Sequence, residues 1–114
     1  MKQNDRPKIE LLYSAGCQGY HAAIDELSAA MVETGLQPRF TVVYVRDENE
    51  AQSFRFFGSP TVRIDGEDVE EKAVKVTRFG TNVCRPYFFN GKAFDYPPKE
   101  LIVAALRMRG YGEP

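Results

Sequence analysis

The side chains best suited to chemistry are two cysteines and one histidine: Cys17, Cys84 and His21. Cys17 stands in the stretch Leu11-Leu12-Tyr13-Ser14-Ala15-Gly16-Cys17-Gln18-Gly19-Tyr20-His21, where an apolar run gives way to small residues and then to a helical pattern. A thiol at a helix start meets unpaired backbone N–H groups and the positive end of the helix dipole, and both favour its thiolate. Such a thiolate attacks disulfides and peroxides and binds soft metals. The competing reading is a small apolar residue without chemistry. His21 follows four residues later, on the same side of the first helical turn. It either tunes the thiol or is an exposed histidine with no partner. Cys84 is either a resolving thiol or a half-buried strand cysteine. Arg85 either holds an anion or thiolate, or pairs with an acidic residue between Glu67 and Glu71.

Other chemistries find less support. Cys17, His21 and Cys84 fit no closed zinc spacing, so no resident metal is expected, although three such ligands would make an open soft-metal site. Gly16 and Gly19 lack the third glycine of a phosphate-binding fingerprint, and no cofactor is implied. Phe54, Phe56, Phe57, Phe88 and Phe89 read as core rather than as a stacking platform.

The chain has 114 residues, 43% of them hydrophobic, enough for one domain with one core. Its 15 basic and 16 acidic residues leave a net charge of −1, which argues against nucleic acid or an anionic membrane as partner. No window approaches the ~20 apolar residues of a membrane span. Residues 1–8 are polar, read as a flexible tail before a domain over 9–114, and lack the apolar centre of a signal peptide. A cytoplasmic location is therefore expected, and there two cysteines are more often free, catalytic or metal-linked than joined in a structural disulfide.

The elements that must position Cys17 follow from periodicity. Ile9 to Tyr13 reads as a buried strand. From Gln18 to Thr34, apolar residues at Tyr20, Ala23, Ile24, Leu27, Ala30 and Met31 define one helix face, and Gly35 ends it. Phe40 to Val45 reads as a strand covered on both faces, completing a parallel strand–helix–strand unit. Asp47 and Glu50 have capping-box spacing before a helix that buries Ala51, Phe54 and Phe57 and stops at Gly58. Pro60 leads into a strand over Thr61 to Ile64, and Asp65-Gly66 turns the chain. Glu67 to Asn82 reads as an irregular insertion with a helical turn near Glu70 to Val74. Cys84 to Phe89 reads as a strand antiparallel to the previous one, Asn90-Gly91 as a turn, and Pro97-Pro98 as the start of a last helix burying Leu101, Ile102, Ala105 and Leu106.

The order β-α-β-α-β-β-α, an α/β class with a four-stranded mixed sheet flanked by helices, resembles the thioredoxin-like fold. Two motifs carry the likeness: Cys17 at the strand-to-helix junction, and Gly58-Ser59-Pro60-Thr61-Val62, which resembles the cis-proline segment of that family. There the cis-proline lies beside the reactive sulfur, and the preceding residue offers backbone hydrogen bonds to substrate. The resemblance thus implies a cis Pro60 and a ligand contact at Ser59. Cys17-Gln18-Gly19-Tyr20 departs from Cys-x-x-Cys, because Tyr20 replaces the second cysteine.

The sequence is also similar to a small bacterial group of thioredoxin-like proteins with a Gly-Cys after the first strand and a Cys-Arg-x-Tyr strand, here Cys84-Arg85-Pro86-Tyr87. That group is largely of unassigned function. Some members are labelled by association with organomercurial lyase, but the thiols and carboxylate of a carbon–mercury cleaving site are not evident here. The resulting expectation is a monothiol oxidoreductase. Cys17 forms a mixed disulfide, and an external thiol, glutathione-like or on a partner protein, resolves it. The alternatives are a non-catalytic binding module and a soft-metal (mercury) binder using Cys17. The oligomeric state is not legible.

Overall fold

Alternation and helical periodicity build the layers of this protein. In the computed structural model, which describes residues 6–112, they give β1 (Ile9–Tyr13), α1 (Tyr20–Glu33), β2 (Thr41–Tyr44), α2 (Glu48–Phe54), β3 (Thr61–Ile64), β4 (Glu67–Asp68), a 3-10 turn (Glu71–Lys75), β5 (Tyr87–Phe89), β6 (Lys92–Phe94) and α3 (Lys99–Met108). The first four strands form a mixed sheet in the order β2-β1-β3-β4. β1 runs parallel to β2 and antiparallel to β3, and β3 is antiparallel to β4. Most of the expected tail over residues 1–8 lies outside the described residues. Lys8, which is described, exchanges hydrogen bonds with the backbone and carboxylate of Asp65.

The two faces of β1 go to different cores, as a period of two requires. Ile9 and Leu11 join Val62 and Ile64 of β3 against Ala23, Leu27, Ala30 and Met31 of α1 and Ile102, Val103, Ala105 and Leu106 of α3. Leu12 points the other way, into a smaller cluster with Val45, Ala51 and Phe56. Thus α1 and α3 cover one face, and α2 covers the other. Among the described residues no helix is long and apolar enough to cross a membrane.

Several expectations need correction. β2 is not covered on both faces; it is the sheet edge, and Val42 and Tyr44 remain 40% and 45% exposed. The fourth strand of the sheet is not Cys84 to Phe89. Asp65 and Gly66 both take positive φ, as a two-residue hairpin demands, so Glu67 and Asp68 return directly beside Ile64 and Arg63. β5 therefore pairs with β6 in a separate two-stranded ribbon. α2 stops at Arg55, in the left-handed region, rather than at Gly58. That early stop buries Phe56 instead of Phe57. Of the five phenylalanines read as core, only Phe56 is fully buried, and Phe88 is 56% exposed. The Asp47 side chain does cap α2 by accepting from Glu50 N–H. Glu50 reaches one residue further back than a capping box requires, to the Arg46 N–H.

Candidate functional site: a disulfide at the start of α1

Cys17 lies between β1 and α1, held by a loop that must pass close to two other segments. Gly19, the N-cap of α1, has no room for a Cβ, which would collide with the Asp95 carbonyl and approach Pro60 Cδ. The α1 start has no side-chain cap and no acidic residue in its first turn, so the helix itself supplies no carboxylate to offset its N–H groups and dipole.

Cys17 is not a lone thiol. It forms a disulfide with Cys84, across 67 residues of sequence and a Cα–Cα distance of 5.4 Å, and no cysteine is free. This corrects the monothiol expectation and the expectation that the cysteines are unpaired. It also corrects the picture of Cys84 as a half-buried strand residue: Cys84 is exposed, outside any strand, at a single parallel bridge to Ser59. Cys17 is half-buried, with Sγ 3.6 Å from the Val83 carbonyl oxygen. The Ser59–Pro60 peptide bond is cis.

Ser59 is the hub between these segments. Its N–H donates to Val83 O at 2.9 Å, and its carbonyl accepts from Arg85 N–H at 3.0 Å. Its hydroxyl oxygen accepts from Ser14 N–H at 3.1 Å, just before the cysteine loop. Ser59 is consequently only 1% exposed, with both backbone groups bonded to the residues on either side of Cys84.

Two anchors that do not involve sulfur fix Cys84 from both sides. On one side, Thr81 donates from its hydroxyl and its N–H to the Glu48 carboxylate, at 2.6 and 3.1 Å, and its carbonyl accepts from Ser14 Oγ at 2.8 Å. Those Thr81 hydrogen bonds hold the Glu48 carboxyl below the usual glutamate range. On the other side, Arg85 is 3% exposed. Its guanidinium donates to both Asp68 oxygens at 2.7 Å, to Glu70 at 3.0 Å and to Thr61 Oγ1 at 3.0 Å, and lies over the Phe57 and Tyr87 rings. Burial works against its charge, but the Asp68 hydrogen bond and the neighbouring carboxylates outweigh that and raise its pKa above the arginine norm. Arg85 thus takes the ion-pairing role, with an acidic pair from the segment singled out in the sequence. Gly58 allows this approach, since a Cβ there would sit 2.7 Å from Arg85 Cβ. The Tyr87 hydroxyl, whose pKa burial pushes well up, donates to the Pro60 carbonyl.

His21 is exposed and its ring lies 5.1 Å from that of Tyr20. Among the described residues, no group of three or more His, Cys, Asp or Glu side chains is arranged to hold a metal ion. A cleft of about 350 Å³ opens beside the disulfide, lined by Gln18, Gly19, Ser59, Pro86 and Asp95 as well as the cysteines. Pro86, Asp95, Ser14, Thr81 and Glu48 were not singled out by spacing. Asp95 and Glu48 have an indirect sequence signal, the glycines at 19 and 80 that approach them closely.

The fold and site define a mixed α/β protein with a non-local disulfide where its first helix begins. The chain belongs to the family described as Domain of unknown function (DUF2703), whose model matches residues 15–106. That match includes both cysteines and the Ser59–Pro60 segment. No curated protein and no solved structure matches the chain.

Proposed function

We propose that this protein is a thioredoxin-like thiol–disulfide oxidoreductase whose redox couple is Cys17 and Cys84. The observation that carries this reading is the Cys17–Cys84 disulfide, with Cys84 held in place by contacts independent of sulfur. The sheet order, with α1 and α3 on one face and α2 on the other, supports the thioredoxin-like assignment, as does the cis Ser59–Pro60 bond at the site.

In the reduced protein, the Cys17 thiolate attacks one sulfur of a substrate disulfide. A Cys17–substrate disulfide forms, and the substrate's other half leaves as a thiolate. The Cys84 thiolate then attacks Cys17 Sγ, the remaining substrate half leaves as a thiolate, and the Cys17–Cys84 disulfide returns. Two electrons pass from protein to substrate, and two external thiols, themselves joined into a disulfide, restore the reduced form. The uncapped α1 start favours a Cys17 thiolate, which supports attack by Cys17 and resolution by Cys84.

The test is trapping. Reduced protein oxidises stoichiometrically with a model disulfide and releases two thiols per chain. Cys84→Ser stops at a mixed disulfide on Cys17, seen by mass, and Cys17→Ser releases none at a comparable rate. A wild-type protein as inert as Cys17→Ser leaves the non-catalytic binding module instead. A wild-type protein that itself stops at a mixed disulfide on Cys17, with one thiol released per chain, until an external thiol is added returns resolution to that external thiol.

A further inference from the structure

Building on the oxidoreductase reading, we infer that the substrate is a low-molecular-weight disulfide bearing amino groups rather than an extended polypeptide. The backbone of Ser59 is a hydrogen-bonding edge that bridges to Cys84, and the chain's own Val83–Arg85 segment already occupies it through both N–H and C=O. Reduction does not free that edge. Thr81 remains on Glu48 and Ser14, and Arg85 remains on Asp68, Glu70 and Thr61, because none of those contacts passes through sulfur. An incoming strand would have to displace a buried, doubly ion-paired arginine, which is costly because the remaining carboxylates would be left without their partner.

What remains open is the cleft of about 350 Å³ between the cysteine loop, Pro86 and Asp95. That volume suits a small molecule. Two of its lining residues are charged, Arg85 and Asp95. The Arg85 guanidinium is engaged on the acidic pair in the interior. Asp95 is exposed and, among the described residues, has no ion-pair partner. Asp95 is thus the charged residue of the lining whose charge no ion pair compensates, and a negative charge at the cleft attracts an ammonium and repels a carboxylate.

The experiment compares cystamine, dithiodipropionate and a ten-residue extended peptide carrying a mixed disulfide. Each reacts with the reduced full-length protein, and each rate is divided by that of the same disulfide with free dithiothreitol. At low salt, normalised cystamine is expected to exceed dithiodipropionate by about tenfold, a gap that narrows as salt screens the charges. Asp95→Asn, on an exposed side chain, removes most of that gap while leaving the stability of the fold unchanged. The peptide disulfide is expected to be slower than both small disulfides. If none of the three oxidises the protein, the oxidoreductase reading itself fails. If all react but the two small disulfides do so equally, or Asp95→Asn leaves their ratio unchanged, or the peptide is fastest, the oxidoreductase stands and this inference is overturned.

Discussion

Reducing the Cys17–Cys84 bond measures how firmly the fold holds the two sulfurs together. The bond closes a loop of 67 residues. In the chain-entropy picture, a loop of that length restricts the unfolded chain by about 4 kcal/mol at 25 °C. If folding alone brings the cysteines into place, the oxidised protein should be more stable than the reduced one by about that amount. With a urea m-value of about 1–3 kcal/mol/M, the midpoint should fall by roughly 1.5–4 M on reduction. Cys17→Ser and Cys84→Ser should each reproduce the reduced midpoint. The same free energy must appear in the sulfur chemistry, since the two measurements close one thermodynamic cycle. The folded chain should close its disulfide about a thousandfold more readily than the urea-unfolded chain, read as the equilibrium with dithiothreitol with and without denaturant. Equal midpoints for oxidised and reduced protein would refute the reasoning. They would mean that Thr81 and Arg85 do not keep Cys84 beside Cys17 once the covalent tie is gone.

Other perturbations test the anchors separately. Arg85→Met leaves Asp68 and Glu70 buried without their cation and is expected to cost about 3–5 kcal/mol in both redox states, measured by urea unfolding. Gly19→Ala drives a methyl into the Asp95 carbonyl and should cost about 1–3 kcal/mol while slowing closure of the disulfide, followed by loss of free thiol. The pH dependence of the Glu48 latch has a definite sign. Because its folded pKa is depressed, its stabilisation is complete above the unfolded glutamate value of about 4.3 and disappears as pH falls through the lower folded value. Glu48→Gln should therefore lose less stability than the wild type on acidification from about pH 6 to pH 3, followed by urea midpoints.

The parts of the fold that rest on local repetition were readable in the chain. β1 has the expected bounds, the apolar stripes of α1 and α3 face the larger core, and Asp47 caps α2. Each of these depends on residues a few positions apart. What escaped was set by distant partners. Glu67 and Asp68 look like loop residues, and become a strand only because the positive-φ turn before them returns the chain onto β3. Cys84 to Phe89 reads as one strand because apolar and aromatic residues dominate there. In the structure Arg85 turns inward and Pro86 has no N–H to donate, so pairing begins only at Tyr87. Cys17 was recognised from its local setting, whereas its partner could not be, since nothing in the periodicity around position 84 encodes a bond spanning 67 residues.

That long separation also explains why a tyrosine can stand three residues after Cys17. The Tyr20 ring stacks on Tyr13 at 4.1 Å and packs at the margin of the larger core, tying the end of β1 to the first turn of α1. A cysteine there would give up that packing, and the disulfide is made instead with Cys84, two residues beyond the insertion. The cost moves to the insertion, which must be fixed well enough to deliver Cys84. This is where the polar groups are concentrated: Ser14 and Glu48 hold Thr81, Ser59 holds Val83 and Arg85, and Asp68 and Glu70 hold the guanidinium. The buried ion pairs add little to stability over an apolar filling of the same shape, but they accept only one placement of the backbone. Their value at this site is positional: they set where the second sulfur stands, and a variant that fills the same volume without charge should keep the fold while loosening the sulfur pair.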